Sequence, residues 1–136
     1  MKTIHAEIII QTSVPQVWAL LGDPTAASRY VPGVVQARFD GTHRVCVLAN
    51  GAEIHEHLTF NPEQHALTYR HVKTPMPVRH SAGAFRVRPE GDCSRVEVTA
   101  ELEANSADME PALAAMMSEG LKATLQNLKL LAERAG

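Results

Sequence analysis

Three residues able to hold or move a proton fall in phase on neighbouring strand patterns: Glu56, Tyr69 and His71. In Ile54-His55-Glu56-His57-Leu58-Thr59-Phe60, Glu56 shares its phase with Ile54, Leu58 and Phe60. In Leu67-Thr68-Tyr69-Arg70-His71, Tyr69 and His71 share theirs with Leu67. Side chains two apart lie on one face of a strand. Antiparallel pairing of Phe60 with Leu67 sets Leu58 opposite Tyr69 and Glu56 opposite His71; a slip of two residues sets Glu56 opposite Tyr69 instead. Either way a carboxylate, a phenol and an imidazole meet on an apolar face. Burial and mutual charge shift the pKa values of such groups. The pair Glu56 and His71 is the candidate acid-base couple for a bound carbonyl or enol. The same group can orient a ligand by hydrogen bonds, or do no more than pair its own members.

Cys46, His55 and His57 form a second constellation of zinc-capable types. His55 and His57 share the outer face of their strand, and Cys46 is expected opposite His55. A fourth ligand is not evident, so no metal is assigned and the cluster reads as solvated sheet surface. His5, His43, His65 and His80 have no evident partners and are expected at the surface.

The elements that hold these residues follow from periodicity and turn chemistry. Thr3 to Gln11 alternates, with Ile4, Ala6, Ile8 and Ile10 on one face. A short helix follows, with Ser13 as cap, Pro15 in its first turn, and Val17, Trp18, Leu20 and Leu21 on its apolar side. Asp23-Pro24 opens a second short helix ending near Tyr30, which could gate an entrance. Six strands come next: Val34 to Asp40, Arg44 to Leu48, Glu53 to Phe60, Ala66 to Val72, Ala82 to Arg88 and Cys93 to Glu103. Asn50-Gly51 suits a two-residue hairpin turn with both residues at positive φ. That turn sets Cys46 against His55, Val45 against Glu56 and Arg44 against His57, with Val45 and Val47 facing the core. Lys73 to His80, holding Pro75 and Pro77, is expected to be an irregular loop and a candidate lid. Phe85, Val87, Val96, Val98, Ala100 and Leu102 point inward on the last hairpin. A long helix closes the chain, with Ser106 as cap and apolar positions at Met109, Leu113, Met116, Met117, Leu121, Leu125, Leu128 and Leu131. Gly120 interrupts it, where glycine costs about 1 kcal/mol relative to alanine and leaves room beside the helix.

Composition narrows the function classes. The 136 residues are 45% hydrophobic and 21% charged, with a net charge of -2 from 13 basic and 15 acidic residues. This is ordinary globular composition for one domain over 1–136. No basic run offers an electrostatic footprint for nucleic acid or an anionic membrane. No stretch reaches transmembrane length. Two cysteines, Cys46 and Cys93, fit reduced thiols and a cytoplasmic setting.

The ordered set Val14-Pro15-x-Val17-Trp18-x-Leu20-Leu21-x-Asp23, Val31-Pro32-Gly33-Val34, Ile54-x-Glu56-x-Leu58, Leu67-x-Tyr69 and the amphipathic C-terminal helix resembles the START-like superfamily SRPBCC, in particular its polyketide cyclase/dehydrase-like branch. The resemblance spans nearly the whole chain. It implies an α+β helix-grip fold, a curved antiparallel seven-stranded sheet around a long C-terminal helix, with a cavity between them. It implies a small hydrophobic ligand, aromatic, polyketide-like or lipid-like, and no cofactor. Glu56, Tyr69, His71, Tyr30, Leu58, Phe85, Met117, Gly120 and Leu121 are the expected ligand contacts. No family catalytic set is matched. Three readings stay open: a ligand-binding protein, a cyclase or dehydratase using Glu56 and His71, and a protein-interaction module on the same fold. A homodimer is also open.

Overall fold

Apolar residues at every second position of the first strand, β1 (Lys2–Ile10), bury Ile4, Ala6 and Ile10 on one side and leave His5 and Glu7 in solvent. In the computed structural model, which describes residues 1–135, β1 is followed by the short helix α1 (Val14–Leu21) and a 3-10 turn over Pro24–Arg29. Six strands come next: β2 (Val34–Phe39), β3 (His43–Leu48), β4 (Glu53–Asn61), β5 (Ala66–Lys73), β6 (Val78–Glu90) and β7 (Cys93–Ala104). A 3-10 turn at Ala107–Met109 leads into the long helix α2 (Glu110–Ala135).

All seven strands form one antiparallel sheet in the order β1-β7-β6-β5-β4-β3-β2. Strands β2 to β7 therefore run as a meander, and β7 closes back on β1. On β7, Val96, Val98, Ala100 and Leu102 are fully buried, as their alternation requires. The helix lays Leu121, Leu125, Leu128 and Ala132 on this half of the sheet, packing on β1, β7 and α1. Its last turns are tied down by Lys129 Nζ on the Ile9 carbonyl (3.1 Å) and by Glu133 accepting from the Gln11 amide (2.7 Å). Among the described residues no helix is long and apolar enough to cross a membrane.

Several local expectations change. The β3–β4 hairpin does not use a two-residue turn. Only Gly51 has positive φ (87°), and the Gly51 and Leu48 amides donate to the carbonyls of Leu48 (2.9 Å) and Ala52 (2.8 Å). The loop is thus three residues long, Ala49 to Gly51, with glycine in the left-handed position. One extra loop residue slips the register by one and turns every side chain of β3 over. Arg44 now pairs with Glu56, Val45 with His55 and Cys46 with Ile54. Arg44 and Cys46 are buried, while Val45 and Val47, expected inward, are half-buried on the other face.

Ser13 and Ser106 stand at helix starts, yet neither side chain makes a capping hydrogen bond. Asp23 does cap, accepting from the Thr25 amide at 3.0 Å. The expected loop from Lys73 shrinks to residues 74–77, because Lys73 and Val78 are already in strands. Met109 and Met116 are exposed rather than core. Met116 lies next to Met117 in sequence, so it is rotated by about 100° from the packed stripe. Trp18 is half-buried and sets its edge against His65 at 5.7 Å between ring centroids. The remaining histidines find partners: His80 on Glu101 (2.8 Å), His5 on Thr99 (3.2 Å) and His43 against His57 (5.3 Å between ring centroids).

Candidate functional site

Ionised side chains are almost never buried without partners, because the lost hydration is too costly. Glu56 is only 6% exposed and Arg44 only 7%. The register of β3 on β4 resolves this by setting them directly opposite each other. Arg44 Nε donates to Glu56 Oε1 at 2.9 Å. From the other neighbouring strand, β5, His71 Nε2 lies 3.3 Å from Glu56 Oε2. His71 Nδ1 in turn lies 2.7 Å from Ser81 Oγ on β6. The Cys46 thiol donates to Glu56 Oε1 at 3.6 Å. Four adjacent strands thus hold one connected polar chain: Arg44 and Cys46, Glu56, His71, Ser81.

The electrostatics follow from this arrangement. Burial pushes the Glu56 carboxyl up, but the His71 hydrogen bond and the charge and hydrogen bond of Arg44 outweigh it and hold the group down at about 2. Burial pushes the Cys46 thiol up to about 12, with Arg44 opposing and Glu56 adding to the rise. Burial, with the Glu56 charge added, raises the Tyr69 phenol as well. Glu56 is therefore a fixed carboxylate, and Cys46 a fixed thiol with little nucleophilic character.

A cavity of about 320 Å³ opens between this polar chain and α2. Its floor is the inner face of β3 to β6, with Arg44, Cys46, Ile54, Glu56, Tyr69, His71 and Phe85. Its roof is Met116, Met117, Gly120 and Leu121 of α2. Val31, Pro32, Val34 and Met76 complete the wall. Gly120 is exposed, and a β-carbon added there would meet nothing within 4 Å. Below Tyr69 the sheet is thinned by Gly83 of β6, its cross-strand partner, and the phenol ring lies against that glycine.

Of the expected contacts, Glu56, Tyr69, His71, Phe85, Met117, Gly120 and Leu121 line the cavity. Tyr30 and Leu58 do not. Leu58 is packed in the core, 4% exposed. Tyr30 is buried rather than placed at an entrance, and its carbonyl accepts from Asn127 Nδ2 of α2 at 3.1 Å. Arg44, Cys46 and Ser81 were missed. Alternation puts Arg44 and Cys46 on the outer face and Ser81 between the expected loop and strand, and the three-residue β3–β4 loop turns Arg44 and Cys46 inward. Of the supposed lid only Met76 reaches the cavity. The Cys46, His55 and His57 constellation is broken up, because Cys46 points inward while His55 pairs with Val45 on the opposite face and bonds Glu53 at 2.9 Å. Among the described residues no group of three or more His, Cys, Asp or Glu is placed to hold a metal ion.

Known proteins share this architecture. The Zhui aromatase/cyclase from a Streptomyces species superposes with a TM-score of 0.83 at 16% identity, covering 98% of this chain and 94% of its own. A START superfamily protein from Mycobacterium smegmatis gives 0.82 at 12% identity, covering 98% and 99%. Norcoclaurine synthase from Thalictrum flavum, solved with dopamine and hydroxybenzaldehyde, gives 0.77 at 16% identity, covering 99% and 88%. At these identities the likeness is one of fold, and it establishes the START-like helix-grip arrangement. No curated protein sequence matches the chain. A family model, described as polyketide cyclase / dehydrase and lipid transport, matches residues 1–133. A helix-gripped cavity with this sequence match over nearly its whole length places the chain in the polyketide cyclase / dehydrase and lipid transport family.

Proposed function

We propose that residues 1–136 act as one ligand-binding domain, taking a small apolar molecule into the cavity between the sheet and α2. The observation that carries this reading is the cavity itself: about 320 Å³ of space, walled largely by apolar side chains and ending on a buried polar group. Binding sites for small molecules have this composition, apolar walls with a few convergent polar groups that set orientation. Met76, Met116 and Met117 line it, and unbranched, polarisable side chains adapt to more than one ligand shape. One fold relative is an aromatase/cyclase and another was solved with dopamine and hydroxybenzaldehyde, which agrees with such a use.

Cyclase or dehydratase chemistry is the second reading, and the family's description favours it. The arrangement of protons weighs against Glu56 as its acid or base. A carboxylate held at about 2 is a weak base, far from the value that suits proton transfer near neutrality. His71 has both ring nitrogens engaged, one by Glu56 and one by Ser81. Reaching a ligand proton would require breaking one of these contacts. Both residues therefore suit positioning better than turnover.

The test is a thermal-shift screen of aromatic ketones, flavonoids, fatty acids and sterols on the wild type and on Met117→Trp, which adds ring volume at a half-buried residue of the cavity's roof. A ligand at 100 times its dissociation constant stabilises by about 2.7 kcal/mol, or several degrees. Stabilisation that disappears in Met117→Trp supports the reading. No stabilisation by any compound, or equal stabilisation of both proteins, refutes it.

A further inference from the structure

The register slip that turns β3 over also acts on the outer face of the sheet. It sets His43 of β3 directly opposite His57 of β4, the place that a two-residue turn would have given to Arg44. Hydrogen-bonded and non-hydrogen-bonded pairs alternate along an antiparallel ladder. The next pair is a bonded one, with the Leu58 amide donating to the Thr42 carbonyl at 2.9 Å. His43 and His57 are therefore a non-hydrogen-bonded pair, the kind in which facing side chains come closest. Their ring centroids are 5.3 Å apart, with the ring planes at 74°. His43 is exposed and His57 half-buried. His5, His55, His71 and His80 spend a ring nitrogen on Thr99, Glu53, Ser81 and Glu101. Among the described residues, neither His43 nor His57 does so, and their ring nitrogens stay available.

Two facing imidazoles with available nitrogens can chelate a metal ion, and imidazole suits zinc, nickel and copper. The spacing matches that chemistry. Zinc binds imidazole nitrogen at about 2.0–2.1 Å, which puts each ring centre about 3.2 Å from the ion, and a tetrahedral angle then sets the two ring centres about 5.2 Å apart. The observed separation is 5.3 Å. Turning each ring about its Cβ–Cγ bond brings a nitrogen toward the ion and moves the ring centre little, and this torsion is soft in histidine. The surroundings carry one charge of each sign. Asp40 accepts from the Thr42 and His43 amides at 2.9 and 2.7 Å, so a carboxylate sits beside His43 and favours a cation there. Arg70 is the cross-strand partner of His57 on its other side. It is exposed, and its long stem can carry the guanidinium into solvent.

We infer that His43 and His57 form a two-histidine site for a divalent transition-metal ion on the outer face of the sheet, away from the cavity. The protein supplies two ligands, and water fills the remaining positions. The site does not depend on ligand binding in the cavity. Its test is calorimetric titration of the full chain with zinc chloride at about pH 7.5, above the ordinary histidine range, with calcium chloride as the control because hard cations take oxygen ligands. The wild type should bind zinc and not calcium. His43→Asn and His57→Asn should each weaken zinc by about 100-fold, the worth of two-point attachment. His80→Asn, which removes a histidine already bonded to Glu101 at 2.8 Å, should leave zinc affinity unchanged. Zinc should also raise the melting temperature of the wild type and not that of His43→Asn. If His57→Asn does not fold, the exposed His43→Asn carries the test alone. If zinc does not bind, or binds His43→Asn as tightly as the wild type, the inference is overturned. Zinc binding that is lost in Cys93→Ser instead places the ion at the half-buried thiol and overturns it as well.

Discussion

Replacing Glu56 by glutamine removes one charge and almost no volume, so it isolates what the ionised carboxylate contributes. Glutamine still offers an oxygen to Arg44 and His71. The carboxyl is held at about 2 in the folded protein against an ordinary 4.5. Each pH unit of that depression is worth about 1.4 kcal/mol, so the ionised form stabilises the fold by about 3 kcal/mol. Glu56 is 6% exposed, so solvent screening reduces this little. The sign follows from the direction. A depressed carboxyl contributes fully above its unfolded value, near 4.5, and its contribution fades as pH falls toward about 2. Glu56→Gln should therefore cost about 3 kcal/mol at neutral pH, lowering the melting temperature by roughly 10 °C. At about pH 3 the difference between the two proteins should shrink by roughly 2 kcal/mol. The surface carboxylates whose values are also depressed, such as Asp40, Glu53 and Glu90, are common to both proteins and cancel in the difference. Urea denaturation of both proteins across this pH range provides the measurement. A neutral-pH difference below about 1 kcal/mol, or a difference that does not change with pH, would show that Glu56 is not the buried, charge-paired anion described above.

Gly83→Ala should destabilise by about 1–3 kcal/mol, as overpacking does, because its β-carbon would lie 2.7 Å from Tyr69 Cε1 and closer still to the phenol oxygen; the same variant should weaken any ligand that uses the Tyr69 hydroxyl, which urea melts and titration check together. Cys46 should resist iodoacetamide in the folded protein at mildly alkaline pH, since burial holds its thiol up at about 12, whereas the half-buried Cys93 provides the internal comparison. Mass spectrometry of the alkylated sites decides it, and rapid labelling of Cys46 before unfolding would contradict the buried thiol.

How much of this was legible in the residues depends on how each strand's register is set. On β4 and β5, Leu58, Phe60 and Leu67 are large, apolar and in phase, so alternation alone puts Glu56, Tyr69 and His71 on their face. A slip of two residues keeps that face, so alternation leaves two pairings open, and the structure sets Glu56 opposite His71 and Leu58 opposite Tyr69. On β3 the pattern His43-Arg44-Val45-Cys46-Val47-Leu48 misleads, because Val45 and Val47 look like a core face and Arg44 like a solvated one. The turn decides between the two faces, and Asn50-Gly51 is compatible with a two-residue and a three-residue loop alike. A stronger argument was present in the chemistry. An inward Glu56 needs a cation, or its burial costs several kcal/mol. Arg44 is the only lysine or arginine on β3. Turning β3 over exposes part of two valines, at roughly 1–2 kcal/mol each, and in exchange gives the carboxylate its guanidinium. The ion pair outweighs the valines, and the strand turns over. The demand of one buried charge for its partner thus sets the register of β3 and brings Arg44 to the cavity wall.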